Sequence, residues 1–323
     1  MQQETIYSLK DVCKTYQPEG ILALNHIHFE IYREEIFGLV GESGSGKSTC
    51  ARVVSQLEEV DSGQCLFEGR DISNLSDEEM FSLRREIQFV FQDPCAALNP
   101  MHRILETLIE PLQLHADYLR LNASPMEQIS ELLEKVGLCS NVLSRFPHQF
   151  SGGQKHRIGL ARALVLEPRL LVCDEPLSAL DISIQAQIVN LLLDLRDNFS
   201  LTILIVAHDL LMMRYMCDRL GVMYGGTLVE VGPVHTVYDN PQHPYTQLLI
   251  DAIPIPNPEK QRKRVPKIVV PKYSLEKGNK ETGCPFALRC PFAMDVCFAV
   301  RPTMTSLADG RSVACHLFPS SGS

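Results

Sequence analysis

Nine residues, GESGSGKST from Gly41 to Thr49, constrain this chain more than any others. They fit G-x-x-x-x-G-K-[ST], directly after an apolar run, IFGLV, and before a helical pattern that begins near Lys47. Glycines let the backbone fold into a nest of N–H groups, and the following helix end adds a favourable dipole, so the segment reads as a cradle for phosphate oxygens. Gly41, Ser43, Gly44, Ser45 and Gly46 form the loop, Lys47 is placed to reach the β- and γ-phosphates, and Ser48 and Thr49 offer hydroxyls, that of Ser48 to a magnesium ion. ATP and Mg2+ are therefore the expected ligands. A plain glycine-rich turn is disfavoured by the full match in a strand–loop–helix context.

A second segment, LLVCDEP from Leu170 to Pro176, is an apolar run ending in adjacent acids. A buried strand that delivers carboxylates at its C-terminal edge is the expected other half of such a site. Asp174 is assigned to magnesium and Glu175 to the attacking water as general base. Runs at Ile36–Val40, Ile87–Phe91, Leu170–Cys173 and Leu201–Ala207 read as buried strands, alternating with helices such as Gln185–Phe199. The expected fold is α/β, a P-loop core with a mainly parallel sheet, antiparallel β elements near the N-terminus and a helical insertion at about 94–150. A proline-rich, basic stretch after Ala252 reads as a linker. The expected division is a cassette at 1–256, a linker at 257–283 and a Cys-rich extension at 284–323.

Composition narrows the class. A net charge of −9 argues against a general nucleic-acid binder. The opening residues, MQQETIYSLKD, lack a basic segment followed by an apolar run, and the longest apolar stretches are too short to span a bilayer. An intracellular chain is expected, which turns eleven cysteines into a question of packing, metal or redox chemistry rather than disulfides. Seven of them (13, 50, 65, 95, 139, 173 and 217) are scattered without ligand-like spacing. Cys284, Cys290, Cys297 and Cys315 are separated by five, six and seventeen residues. Clustered thiolates in a reducing compartment favour a metal, but there is no C-x-x-C knuckle and no ferredoxin-type run, so the spacing alone does not choose one.

Further segments resemble the ATP-binding-cassette family over about residues 4–250. SGGQ (Ser151, Gly152, Gly153, Gln154) resembles its signature, whose N–H groups contact the γ-phosphate held by the opposite subunit. Gln92 resembles the glutamine that senses magnesium, and SALD, ending in Asp181, the loop that crosses the dimer interface. His208 resembles the histidine that contacts γ-phosphate, and Tyr16 is placed to stack on adenine. Phe150 stands where leucine is commonest, and KHR follows the signature where many members have RQR. Neither departure removes a phosphate donor, so activity is expected to survive.

QDPCAALNP and HPYTQLLIDAIPIPNP resemble the dipeptide, oligopeptide and nickel importers, more the second of their two paired ATPase subunits than the first. The resemblance implies a peripheral subunit on the cytoplasmic face of the cell membrane. It would pair with a homologous ATPase under two transmembrane permeases fed by an extracytoplasmic solute-binding protein. Peptide is the implied solute, with nickel or another small solute as the alternative, and a soluble cassette ATPase or a non-hydrolysing regulator as rivals of another class. For the tail, the resemblance implies a [4Fe–4S] cluster on the four cysteines, with Zn2+ or unmetallated thiols left as alternatives.

Overall fold

The apolar run before the glycine-rich loop becomes β3 (Ile36–Val40), every residue of it buried. A computed structural model describes residues 4–93, 97–116, 124–178, 180–254 and 282–318 of the chain. In it β3 lies between two parallel neighbours, β8 (Thr202–Val206) and β9 (Arg219–Tyr224). β7 (Leu170–Asp174) pairs in parallel with β8, and β6 (Ile87–Val90) with β7. These strands carry apolar residues at successive positions because helices and a second sheet cover both faces. The strand reading of the sequence holds to within a residue or two at each end.

The second sheet is antiparallel. It is built from β1 (Thr5–Tyr16), β2 (Ile21–Tyr32), β4 (Ser62–Phe67) and β5 (Arg70–Asp71), in the order β2-β1-β4-β5. Helix α1 (Lys47–Val54) fills the space between the sheets, so Leu9, Ile27, Cys50, Val54 and Leu204 share one core. Phe29 of one sheet stacks on Phe37 of the other at 5.0 Å between centroids. Cys50 is thus a small core residue, its thiol pushed up by burial. A second core covers the opposite face and continues into the helical insertion through Leu108, Ile129, Leu133 and Ile158. That insertion holds α3 (Ile104–Leu114) and α4 (Pro125–Lys135) and leads into α5 (Gly152–Leu164). The α5 start is set by Ser151, whose hydroxyl accepts from the Gln154 N–H while the Gln154 side chain returns to the Ser151 N–H.

The expected Cys-rich extension does not stand apart from the cassette. β10 (Thr227–Pro233) pairs with β9, and β12 (Ser312–Val313) pairs antiparallel with β10, with β11 (Thr305–Ser306) beyond it. Residues near the end of the chain therefore extend the cassette's own sheet. The reason is ionic and aromatic. Arg311, 2% exposed, pairs with Glu230, 0% exposed, at 3.4 Å, and the Glu230 carboxylate also accepts from the Gln242 and His243 N–H groups at 3.0 and 2.9 Å. Phe286 is fully buried against Tyr224, Tyr245 and His243. Residues 257–281 of the expected linker lie outside the described residues.

His243 begins α9 (Pro244–Asp251), its Nδ1 accepting from the Tyr245 N–H at 3.1 Å. Burial pushes its pKa from 6.5 down to about 3. The imidazole is neutral in the fold and charged in the unfolded chain between those values, so stability present above about pH 6.5 is lost as pH falls toward 3. His243→Asn, which keeps an acceptor, is expected to flatten the fall of Tm with acid over that window by close to one proton's worth of linkage. Thermal unfolding measured from pH 7 to pH 4 checks this; identical slopes for both proteins would reject it.

Candidate phosphate-binding and hydrolytic site

The loop between β3 and α1 closes through two glycines that nothing else can replace. Gly41 and Gly46 have φ of 155° and 98°, and a Cβ on them would stand 2.2 Å from the Met223 carbonyl and 2.4 Å from that of Ala23. With the backbone pressed this closely on its neighbours, Lys47 folds back inside the loop. Its Nζ donates to the Gly41 and Glu42 carbonyls at 2.9 and 2.8 Å and to Ser45 Oγ at 3.3 Å. Burial lowers its pKa, opposed by Glu175, Asp174 and Glu42. Ser43, Gly44, Gly46, Lys47, Ser48 and Thr49 line a cavity of about 640 Å3, wide enough for a nucleotide.

β7 delivers its acids beside that cavity. Ser48 Oγ donates to Asp174 Oδ1 at 2.9 Å. Burial raises the Asp174 carboxyl, with the Ser48 hydrogen bond working against it. A hydroxyl and a buried carboxylate side by side are the hard oxygen donors magnesium takes, so these residues fit the ion. Glu175 follows in the left-handed region, at φ 46°, which a non-glycine residue adopts only when its surroundings hold it there. Its N–H donates to the Val206 carbonyl at 2.9 Å. Its Oε2 accepts from Gln92 Nε2 at 3.1 Å and lies 3.8 Å from His208 Nδ1. Glu175 lines both the main cavity and a smaller recess of about 70 Å3 that Ser178, Gln185 and His208 also line. Four residues named from three separate stretches, Gln92, Asp174 with Glu175, and His208, are thus brought to one place.

Tyr16 lines the same cavity, its hydroxyl 3.4 Å from Thr49 Oγ1. Ser151, Gly152, Gly153 and Gln154 do not line it: they form the start of α5, with Ser151, Gly152 and Gln154 exposed. Asp181 begins α6 (Ile182–Phe199) and is likewise outside the cavity. Sequence reasoning passed over Gly20, Ile21, Leu22, Ala23, Asn25, Gly225 and Gly226, which form the remaining wall. Nothing local marked the glycine pair, which reaches the wall through the β9–β10 turn.

The expected metal centre in the tail is not supported. Among the described residues no three His, Cys, Asp or Glu side chains are arranged to hold a metal ion. Burial is the largest effect on Cys284 and Cys290, whose thiols it pushes up to about 12 and about 11, with neighbouring cysteines adding to it. Among the described residues the iron–sulfur and zinc readings thus find no support.

A phosphate loop, a Ser–Asp oxygen pair and a carboxylate held by glutamine and histidine define a nucleoside-triphosphate-binding ATPase of the cassette type. The ABC transporter family matches residues 24–178, and the oligopeptide/dipeptide transporter C-terminal region matches residues 229–297. Oligopeptide transport ATP-binding protein AppF of Bacillus subtilis (strain 168) is 43% identical over 326 residues, covering 98% of each chain. Oligopeptide transport ATP-binding protein OppF of Streptococcus mutans is 43% identical over 282 residues, covering 86% of this chain and 91% of that one. CbiO1 from Clostridium perfringens, part of the ABC transporter complex cbiONQ, superposes with a TM-score of 0.65 at 27% identity, covering 74% of this chain and 92% of that one. The ATP-binding cassette MJ0796, in a dimeric post-hydrolysis state bound to ADP and Pi, gives 0.63 at 30% identity, covering 71% and 98%. The chain belongs to the ABC transporter family, in its oligopeptide/dipeptide branch of ATP-binding proteins.

Ser48→Ala deletes the hydroxyl beside Asp174. The magnesium concentration needed for half-maximal ATP binding is expected to rise about tenfold or more, while Tm changes little because Ser48 is only half-buried. An unchanged magnesium dependence in a titration with a fluorescent ATP analogue would remove Ser48 from that role.

Proposed function

We propose that this chain is the ATP-hydrolysing subunit of a membrane importer for di- and oligopeptides. The observation that carries the reading is the convergence on Glu175. It borders the phosphate cavity, accepts a hydrogen bond from Gln92 and faces His208. Tyr16 stacks on the adenine, and the loop N–H groups and Lys47 bind the triphosphate. Ser48 and Asp174 would hold magnesium, with Gln92 beside them, and the bound ion would offset negative charge on the phosphates. Glu175 orients a water and takes its proton as that water attacks the γ-phosphorus, and His208 steadies the carboxylate and the terminal phosphate.

A second copy or a homologous ATPase completes the site. The SGGQ donors are exposed at the α5 N-terminus and lie outside the cavity formed by their own chain's loop, so their proposed partner is the γ-phosphate of an opposing subunit, with Asp181 at the shared boundary. Closure on two ATP molecules then moves the permeases. A groove of about 380 Å3 lined by Arg84, Phe89, Phe91, Leu98, Glu110 and Leu114 runs between β6 and the helical insertion. Phe91 and Leu114 are exposed there, and we assign this groove to a cytoplasmic helix of a permease. No helix among the described residues is long and apolar enough to cross a membrane, which suits a peripheral subunit on the cytoplasmic face, served from outside by a solute-binding protein. The division at 256 and 283 into cassette, linker and tail is proposed on the same footing. Relatives named for oligopeptide transport favour peptide over nickel, and the match to their C-terminal region favours transport over a soluble cassette ATPase.

Glu175→Gln keeps the hydrogen-bonding shape and removes the base. ATP binding is expected to persist while steady-state hydrolysis by the assembled complex falls by at least about a hundredfold. Undiminished turnover would refute the assignment.

A further inference from the structure

Every polar group of Glu42, the second residue of the phosphate loop, is engaged, and two of the partners come from far along the chain. Its carbonyl accepts from Lys47 Nζ at 2.8 Å, and its N–H donates to the Tyr245 hydroxyl at 2.8 Å. Its carboxylate is held in a two-bond fork by Arg289, Nη1 to Oε2 at 2.8 Å and Nη2 to Oε1 at 3.0 Å. The guanidinium is itself fixed: it donates to the Tyr224 hydroxyl at 3.3 Å and lies against the Tyr224 and Phe286 rings. Phe286, fully buried, anchors the short turn Ala287–Arg289 from which the arginine projects. A second tether runs from Arg301 Nη1 to Asn25 Oδ1. Asn25 lines the nucleotide cavity, and its N–H donates to the carbonyl of Gly226, whose own N–H donates to the Ser45 carbonyl.

From this geometry we infer that Arg289 is a positioning residue for ATP, acting through Glu42, so that the cysteine-rich tail forms part of the nucleotide-binding machinery of its own chain. The inference rests on the ATP site proposed above. Two physical effects combine in one contact. The fork holds the lip of the phosphate loop in its binding shape, so ordering need not occur when ATP arrives. It also neutralises a carboxylate five residues before Lys47 that would otherwise repel the triphosphate. Both effects act on ground-state binding, and neither touches the water or Glu175, so they appear in KM and leave kcat nearly intact. Lysine lacks the planar fork and restores only part of the grip.

The test uses the full chain, in the assembled transporter for KM and kcat and alone for direct MgATP titration, with thermal unfolding alongside. Wild-type binding of MgATP checks the underlying ATP site, and its failure would sink that reading instead of this one. Arg289→Ala is expected to raise the ATP KM about five- to tenfold with kcat within about twofold, Arg289→Lys to fall between. Glu42→Ala loses the fork but also the repelling carboxylate, so it should raise KM less than Arg289→Ala does, and the double variant should be far from the product of the single effects. Arg289→Ala with a wild-type KM, or single effects that multiply, would overturn the inference. So would a loss of kcat and Tm with KM unchanged. Should Arg289→Ala fail to fold, a wild-type KM in Arg289→Lys overturns it as well.

Discussion

The arrangement of the whole cassette can be traced to one ammonium group that has been taken out of water. Lys47 is 5% exposed, and burying a cation costs several kcal/mol unless partners replace its hydration. Two carbonyls and a hydroxyl do so, and three carboxylates, those of Glu42, Asp174 and Glu175, favour its charged form. Those partners come from the loop after β3 and from the end of β7, so the strand order that sets these ends close together is part of the lysine's solvation. The glycines follow from the same need, since only a backbone free of Cβ atoms can wrap the side chain this tightly against β9 and β2. A ligand carrying phosphate oxygens offers the lysine a better set of acceptors than the carbonyls do.

Much of this was legible in the sequence because it depends on short-range pattern. Glycine spacing after an apolar run located the loop, and the apolar run before Asp174 and Glu175 located the acids. The central strands showed as unbroken apolar stretches because both of their faces are covered. Gln92 and His208 each follow a strand, and resemblance named them where spacing could not. Their approach to Glu175 follows from parallel strands ending on the same side of the sheet.

What stayed illegible depends on distance along the chain. Arg289 sits between two cysteines in a stretch whose cysteines drew the attention, and its partner lies 247 residues away. Arg311 carries no local signal of its role, yet it pairs with a buried carboxylate of β10. The four tail cysteines suggested a ligand set by their clustering, and the aromatic cluster and the sheet edge that hold this segment were invisible beside them. Composition marked the tail as different from the cassette without showing that it is folded onto it.

The Arg289–Glu42 and Arg301–Asn25 contacts join positions 247 and 276 residues apart. On a ribosome, the phosphate loop emerges early while the groups that brace it have yet to be made. Closing so long a loop carries an entropic cost that only later contacts repay. The contacts that brace the nucleotide pocket are therefore among the last that the chain can form. A nascent cassette passes through a period with its loop acid uncompensated and the edge of β10 bare, so the brace on the phosphate loop is fitted only once the tail has been made.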